Sequence, residues 1–281
     1  MAVSHGFNLT EATTSVSAPV QVSSGLQIIV GTAPVNQLAN PAAAVNTPLY
    51  VSTYKEAVAA VGWSSDFAKY TLCEAISANF QVVGTAPIVV INVLDPKNKK
   101  HITALDETSV QVNDGVAEID KVGILLEKLV VKKDTTTLTA DVDYIASFND
   151  DGTVSLALII GGAGDGATTL TVSGSILDAS KVTADDIVGG VNAATGAETG
   201  LEVVRQVYPK LSKAPGILLA PRFSKNAQVC AALQAKCRKI NGLFNAVCFI
   251  DLDCSADGVQ KYTDVAEQKT KQTATSREAY A

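Results

Sequence analysis

"LQIIVGTAPV" occupies residues 26–35, and "GTAPIVVINVLDP" occupies residues 84–96. An apolar run with no alternation reads as a strand buried on both faces. Leu26–Val30 and Ile88–Leu94 are both runs of this kind. The shared "GTAP" stands after the first strand and before the second, so the two are not a repeat. Gly31 lets the chain turn out of a strand, and Gly84 ends a helix before the next strand begins. Pro34 and Pro87 prevent helix continuation. A glycine after a β-branched run also raises the question of a phosphate loop. Walker A needs G-x-x-x-x-G-K-[ST], and the dinucleotide fingerprint needs G-x-G-x-x-G opening a helix. Here one glycine leads into the Pro/Asn-rich loop 36–48, so neither pattern is met.

Working outward, residues 26–94 read β-α-α-β. Leu49–Ser52 is a short extended piece. Thr53 and Glu56 have the spacing of a capping box, with Gly62 as the stop. Asp66 is read as the cap of a second helix over 67–83. From 102 to 177 short β runs alternate with turn residues such as Asn113-Asp-Gly115, which predicts about five or six strands. "NDDG" (149–152) is a hairpin signal, and "GGAGDG" (161–166) is read as another hairpin turn. After 178 the α/β pattern returns. "TADDIVGGV" and "TGLEVVRQVYPKL" read as helical, "PGILLAP" (215–221) as a strand, and Ser224 as the cap of the next helix. "FNAVCFIDL" (244–252) reads as a buried strand, and residues 255–272 as a final helix. The fold class is therefore α/β: a layered core with helices covering the sheet, interrupted by an inserted all-β domain. The expected division is an extended polar arm (1–25), core first part (26–96), inserted β-domain (97–177) and core second part (178–281).

Composition narrows the functional classes. The chain has 281 residues, of which 47% are hydrophobic and 18% charged, below the roughly 25% charged of an average domain. That is enough for a sizeable core, with apolar surface left over for a partner. Net charge is −6 and the isoelectric point near 5.0, which argues against a nucleic-acid groove. Lys97-Asn-Lys-Lys100 beside His101 reads as a solvated turn. The five cysteines (Cys73, Cys230, Cys237, Cys248 and Cys254) contain no C-x-x-C, so free thiols in a reducing compartment are expected. No signal peptide is read, and no apolar run approaches the roughly 20 residues of a membrane span.

The catalytic patterns in the chain are incomplete. Gly162-x-Gly164-x-x-Ala167 fits a loose nucleotide pattern, but a β-prone segment follows it and no helix N-terminus is there to receive a phosphate. Asp251-x-Asp253-x-x-x-Asp257-Gly258 resembles a calcium loop, yet its sixth and twelfth positions are Ala256 and Tyr262 rather than Gly and Glu. His5 and His101 are the two histidines, and neither stands near a nucleophile elbow. No catalytic, cofactor-binding or metal-binding residue is assigned, no cofactor is expected, and the chain reads as an assembly subunit rather than an enzyme.

The order of motifs resembles the sheath proteins of contractile phage tails and related injection machines. The resemblance begins at His5-Gly6 and continues through "IIVGTAP" (28–34), Pro41 and "NTPLYVSTYKEAVAAVGW" (46–63). It then follows "TLCEAISANF" (71–80), "PIVVINVLDP" (87–96) and "VDYIASFNDDGTVSLAL" (142–158). "TGLEVVRQV" (199–207), "APGILLAP" (214–221) and "AVCFIDLD" (246–253) complete it. It implies stacked hexameric rings around a tail tube, anchored on a baseplate, whose contraction drives the tube through the target envelope. It implies self-association through strand addition by the N-terminal arm, with the tail tube protein and baseplate as further partners. Neither nucleic acid nor membrane insertion is implied. The location implied is a virion or prophage tail, assembled in the host cytoplasm. Family members usually continue into a C-terminal domain that is not seen before Ala281, so residues 1–281 are not expected to build sheath tubes alone. The rival readings are an α/β enzyme with an unrecognised site and an adhesin or glycan-binding module. A pocket with convergent polar groups at the apex of the sheet would favour the enzyme.

Overall fold

The computed structural model describes residues 25–255 and 258–281. The arm reading (1–24) and Asp257 lie outside the described residues. Strand β1 (Gln27–Gly31) is followed by β2 (Leu49–Val51), helix α1 (Tyr54–Val61), helix α2 (Thr71–Ile76) and β3 (Ile88–Asn92). Thr53 caps α1 by accepting from the Glu56 amide. The Glu56 carboxylate reaches back to the Ser52 amide, one residue earlier than a strict capping box. The helix read over 67–83 divides: α2 begins only at Thr71 and passes into a π-helical turn, Ser77–Val83. Asp66 does not cap α2. Its carbonyl instead holds the turn at Lys69 and Tyr70.

Seven strands then follow: β4 (Ile102–Asn113), β5 (Val116–Ile119), β6 (Val130–Lys133), β7 (Thr136–Leu138), β8 (Tyr144–Phe148), β9 (Val154–Leu158) and β10 (Thr169–Leu177). They form one antiparallel sheet in the order β7-β6-β10-β4-β5-β9-β8. Asp114 and Gly115 both take positive φ, 50° and 79°, the geometry of a tight two-residue hairpin. Residues 149–152 join the paired strands β8 and β9, as expected. Residues 161–166 do not form a hairpin turn, because β9 pairs with β5 and β8 whereas β10 pairs with β4 and β6. The glycines there carry the chain between strands that are not neighbours.

The last part holds α3 (Ala184–Val188), a two-stranded hairpin of β11 (Gly190–Val191) and β12 (Glu198–Thr199), and α4 (Val207–Leu211). Residues Gly200–Gln206 are a 3-10 helix leading into α4, so the single helix read there is also divided. Strand β13 (Ile217–Leu219), helix α5 (Ala227–Lys236), β14 (Val247–Phe249), α6 (Val265–Lys271) and β15 (Ala279–Tyr280) complete the chain. Asn226, not Ser224, caps α5 by accepting from the Gln228 amide. The final helix is shorter than the segment 255–272 read for it.

These strands build a six-stranded sheet, β15-β14-β13-β1-β3-β2, in which all neighbours are parallel except the edge strand β2. Ile28, Val30, Val89 and Ile91 point to one face, which α5 covers with Val229, Cys230 and Leu233. Ile29, Ile88 and Val90 point to the other and pack on Ala57 and Val61 of α1 and Leu72 and Ile76 of α2. Two-sided cover explains the unbroken apolar runs. On the α1/α2 face the cover stops near β13. Phe249 and Tyr280 stand about half exposed there, with ring centroids 5.8 Å apart. The architecture is thus mixed α/β with a distinct antiparallel sheet. Two chain crossings, 93–101 and 178–182, link the sheets, and the Asp178 amide bonds the His101 carbonyl at 2.8 Å.

Candidate functional site at the switch point of the sheet

In an open parallel sheet, ligands bind beyond the carboxyl ends of the strands where the strand order reverses. Here that place lies between β1 and β13, and "GTAP" 31–34 forms its rim. Gly31 is required by close packing: a Cβ there would fall inside contact distance of Thr71 Oγ1. The amides that a phosphate would need are already used. The Thr32 amide donates to Thr71 Oγ1 at 3.2 Å, and the Thr32 hydroxyl donates to the Lys69 carbonyl at 2.6 Å. The Ala33 amide donates to Asn92 Oδ1 at 2.9 Å. Asn92 Oδ1 also accepts from the Leu94 amide at 3.1 Å, while Nδ2 donates to the Leu94 carbonyl at 2.9 Å. Asn92 is fully buried, so it must find partners within the protein. It finds them by stitching the ends of β1 and β3 together.

On the β13 side, Arg222 makes a two-pronged bond to Glu74, Nε to Oε2 at 2.7 Å and a terminal nitrogen to Oε1 at 3.1 Å. Such a pair is geometrically specific. The Arg222 amide and the Ser224 hydroxyl both donate to Asp251 Oδ2, at 2.6 and 2.7 Å. The rim is therefore a set of side chains satisfying one another across β1, α2, β3, β13 and β14. Its chemistry is that of a latch.

In the 161–166 loop, Asp143 accepts from the amides of Thr139 and Ala163 at 2.7 and 2.8 Å, and Asp165 from the Gly161 amide at 2.8 Å. Those amides hold the Asp143 carboxyl below its usual range. The loop's donors thus serve the chain's own carboxylates. Asp251 is consumed at the rim, and Asp253 accepts from the Ser255 amide at 3.1 Å. Among the described residues, no three or more His, Cys, Asp or Glu side chains are arranged to hold a metal ion. His101 is buried at the crossing between the sheets. Its Nδ1 accepts from the Asp95 amide at 3.0 Å, and its Nε2 lies 3.4 Å from Asp186 Oδ1. The acceptor role of Nδ1 puts the ring proton on Nε2, facing Asp186. All five thiols are free. Four are buried and Cys254 is exposed. Burial pushes the Cys73 thiol up to about 12.

Two wider cavities flank the core sheet, the first at its carboxyl-end side close to the rim, where Pro96 and Lys97 also line it, and the second at the amino-end side. One of about 610 Å³ opens between loop 36–42 and residues 125–127, and one of about 890 Å³ opens beside Arg238 and Arg277. No helix among the described residues is long and apolar enough to cross a membrane. Sequence reasoning missed Asn92 and Arg222. Asn92 had a signal, since it is the lone polar residue inside "IVVINVL". Arg222 had none, because its partner Glu74 is 148 positions away.

Fold and rim together define a layered α/β protein whose ligand-type crevice is closed by its own side chains. No protein-family profile matches the chain. The chain is 30% identical over 250 residues to the tail sheath protein of Burkholderia phage BcepMu, covering 88% of the chain and 48% of that protein. The chain spans about half the length of this curated relative.

Proposed function

We propose that this chain is a sheath subunit of a contractile phage tail. The observation that carries the reading is the similarity to a tail sheath protein, which extends over 88% of the chain. In this role copies stack as hexameric rings around a tail tube on a baseplate, and contraction drives the tube through the target envelope. Residues 97–177 serve as an inserted domain on the core, and residues 1–25 as an arm that adds a strand to a neighbour's sheet. The subunit is assembled in the host cytoplasm and resides in the virion tail.

Disrupting the gene in the phage or prophage that encodes the chain tests the proposal. Electron micrographs should then show tail tubes without sheaths, and a plasmid copy should restore them. Particles with normal sheaths in the disrupted strain would refute it.

A further inference from the structure

The charge of the chain is unevenly divided. Segment 102–177 contains twelve Asp and Glu against four Lys, whereas the rest contains sixteen acidic and eighteen basic residues. Some of the segment's acidic residues, Glu127 and Asp150 among them, sit at the root beside the core, but three stand at the far end of the antiparallel sheet. The antiparallel sheet is rooted beyond the carboxyl end of β3, where Asn36 Nδ2 donates to the Ile124 carbonyl at 3.1 Å. From that root β4 runs for 12 residues, about 40 Å at roughly 3.3 Å per residue. At its far end stand the turns holding Asp114, Asp134 and Asp141, all exposed.

The amino ends of β13, β14 and β15 form the opposite edge of the core. There an open groove of about 890 Å³ is lined by Gly216, Ala246, Val247 and Tyr280 and by the cations Arg238, Lys239 and Arg277. Glu278 answers part of that charge through Arg238 at 2.9 Å and Arg277 at 3.3 Å. The groove borders β15, which among the described residues is the edge strand of the six-stranded sheet, and the half-exposed Phe249 and Tyr280 lie on β14 and β15. An edge strand with an apolar flank is a surface that ordinarily meets a partner.

We propose that this groove docks the acidic far end of the antiparallel sheet of a second copy, so that copies associate head to tail. Within one molecule the two ends are separated by the length of the fold, so the complementarity is met between molecules. A contact between two different patches continues into a chain instead of closing into a dimer. The inference rests on the sheath reading for its setting, and its test is separate from that of the sheath reading.

The test is sedimentation velocity of the chain at about 20 mM and about 300 mM NaCl, between which the screening length falls from about 20 Å to about 6 Å. The expected result is a series of oligomers at low salt that dissociate at high salt. Arg238→Glu/Lys239→Glu/Arg277→Glu should weaken association about tenfold or more, and so should Asp114→Lys/Asp134→Lys/Asp141→Lys. An equimolar mixture of the two variants should associate again, because each supplies the end the other lacks. Asp114→Asn/Asp134→Asn/Asp141→Asn keeps residues that tolerate the positive-φ turns and should also weaken the contact. A carbodiimide should join Lys239 to one of these three aspartates. A wild-type monomer at both salts, or a mixture that fails to recover, would overturn the proposal. Salt-independent oligomers that persist in both reversed variants would point to strand exchange instead; they would overturn this contact and leave the sheath reading standing.

Discussion

Replacing Asn92 by Leu should be among the most damaging single changes in the core, although the two side chains are similar in size. The amide side chain serves three buried backbone groups: the Ala33 amide, the Leu94 amide and the Leu94 carbonyl. Leu leaves all three without a partner in a site closed to water. Each stranded group costs about 1–3 kcal/mol. Burying the added apolar surface returns about 1.5–3 kcal/mol. With mid-range values the net loss should be about 4 kcal/mol, a large part of the roughly 5–15 kcal/mol that holds a domain together. Urea unfolding followed by circular dichroism measures it as a lower midpoint. Asn92→Asp keeps the two acceptor bonds but sets a charge against the Leu94 carbonyl. It should be destabilised at neutral pH and partly restored in acid as the carboxyl protonates. A loss under about 1 kcal/mol for Asn92→Leu would show that the rim is not held as described.

One of the five thiols should react quickly with a disulfide reagent in the native protein, and Cys254→Ser should abolish that fast phase; two or more fast thiols would contradict the burial of the other four. Arg238 holds the Glu278 carboxyl down to about 2. A depressed carboxyl contributes stability above its unfolded pKa near 4.5 and loses it as pH falls toward the folded value. The Cys248 and Ile250 amides, bonded to the Glu278 and Tyr280 carbonyls, should therefore lose exchange protection across that window. Glu278→Gln should lower protection at neutral pH and flatten the acid dependence. Leu233→Ala, at a fully buried position of α5, should cost about 2–5 kcal/mol in the same urea assay.

Much of the fold is legible in the sequence because its strands are short and marked at both ends. Leu26–Val30 and Ile88–Leu94 lack alternation because both faces of β1 and β3 are covered, and Thr53 with Glu56 marks the start of α1 through local bonds. The errors fall where distant contacts decide. Asp66 and Ser224 have the chemistry of helix caps, but a turn takes one and Asp251 takes the hydroxyl of the other. The glycines at 161–166 signal a turn but not which strands it joins, since pairing is set by β4 and β5 some fifty residues earlier. The rim was least legible. Its partners, Ala33 with Asn92 and Glu74 with Arg222, meet only after the sheet has formed.

The most direct test of the central claim is immunogold labelling of purified tails with an antibody raised to residues 192–197, the exposed turn between β11 and β12. The sheath reading predicts gold along the whole shaft of extended tails, and along the shortened sleeve after contraction. Gold confined to the baseplate, the fibres or the head, or none on intact tails, would contradict it.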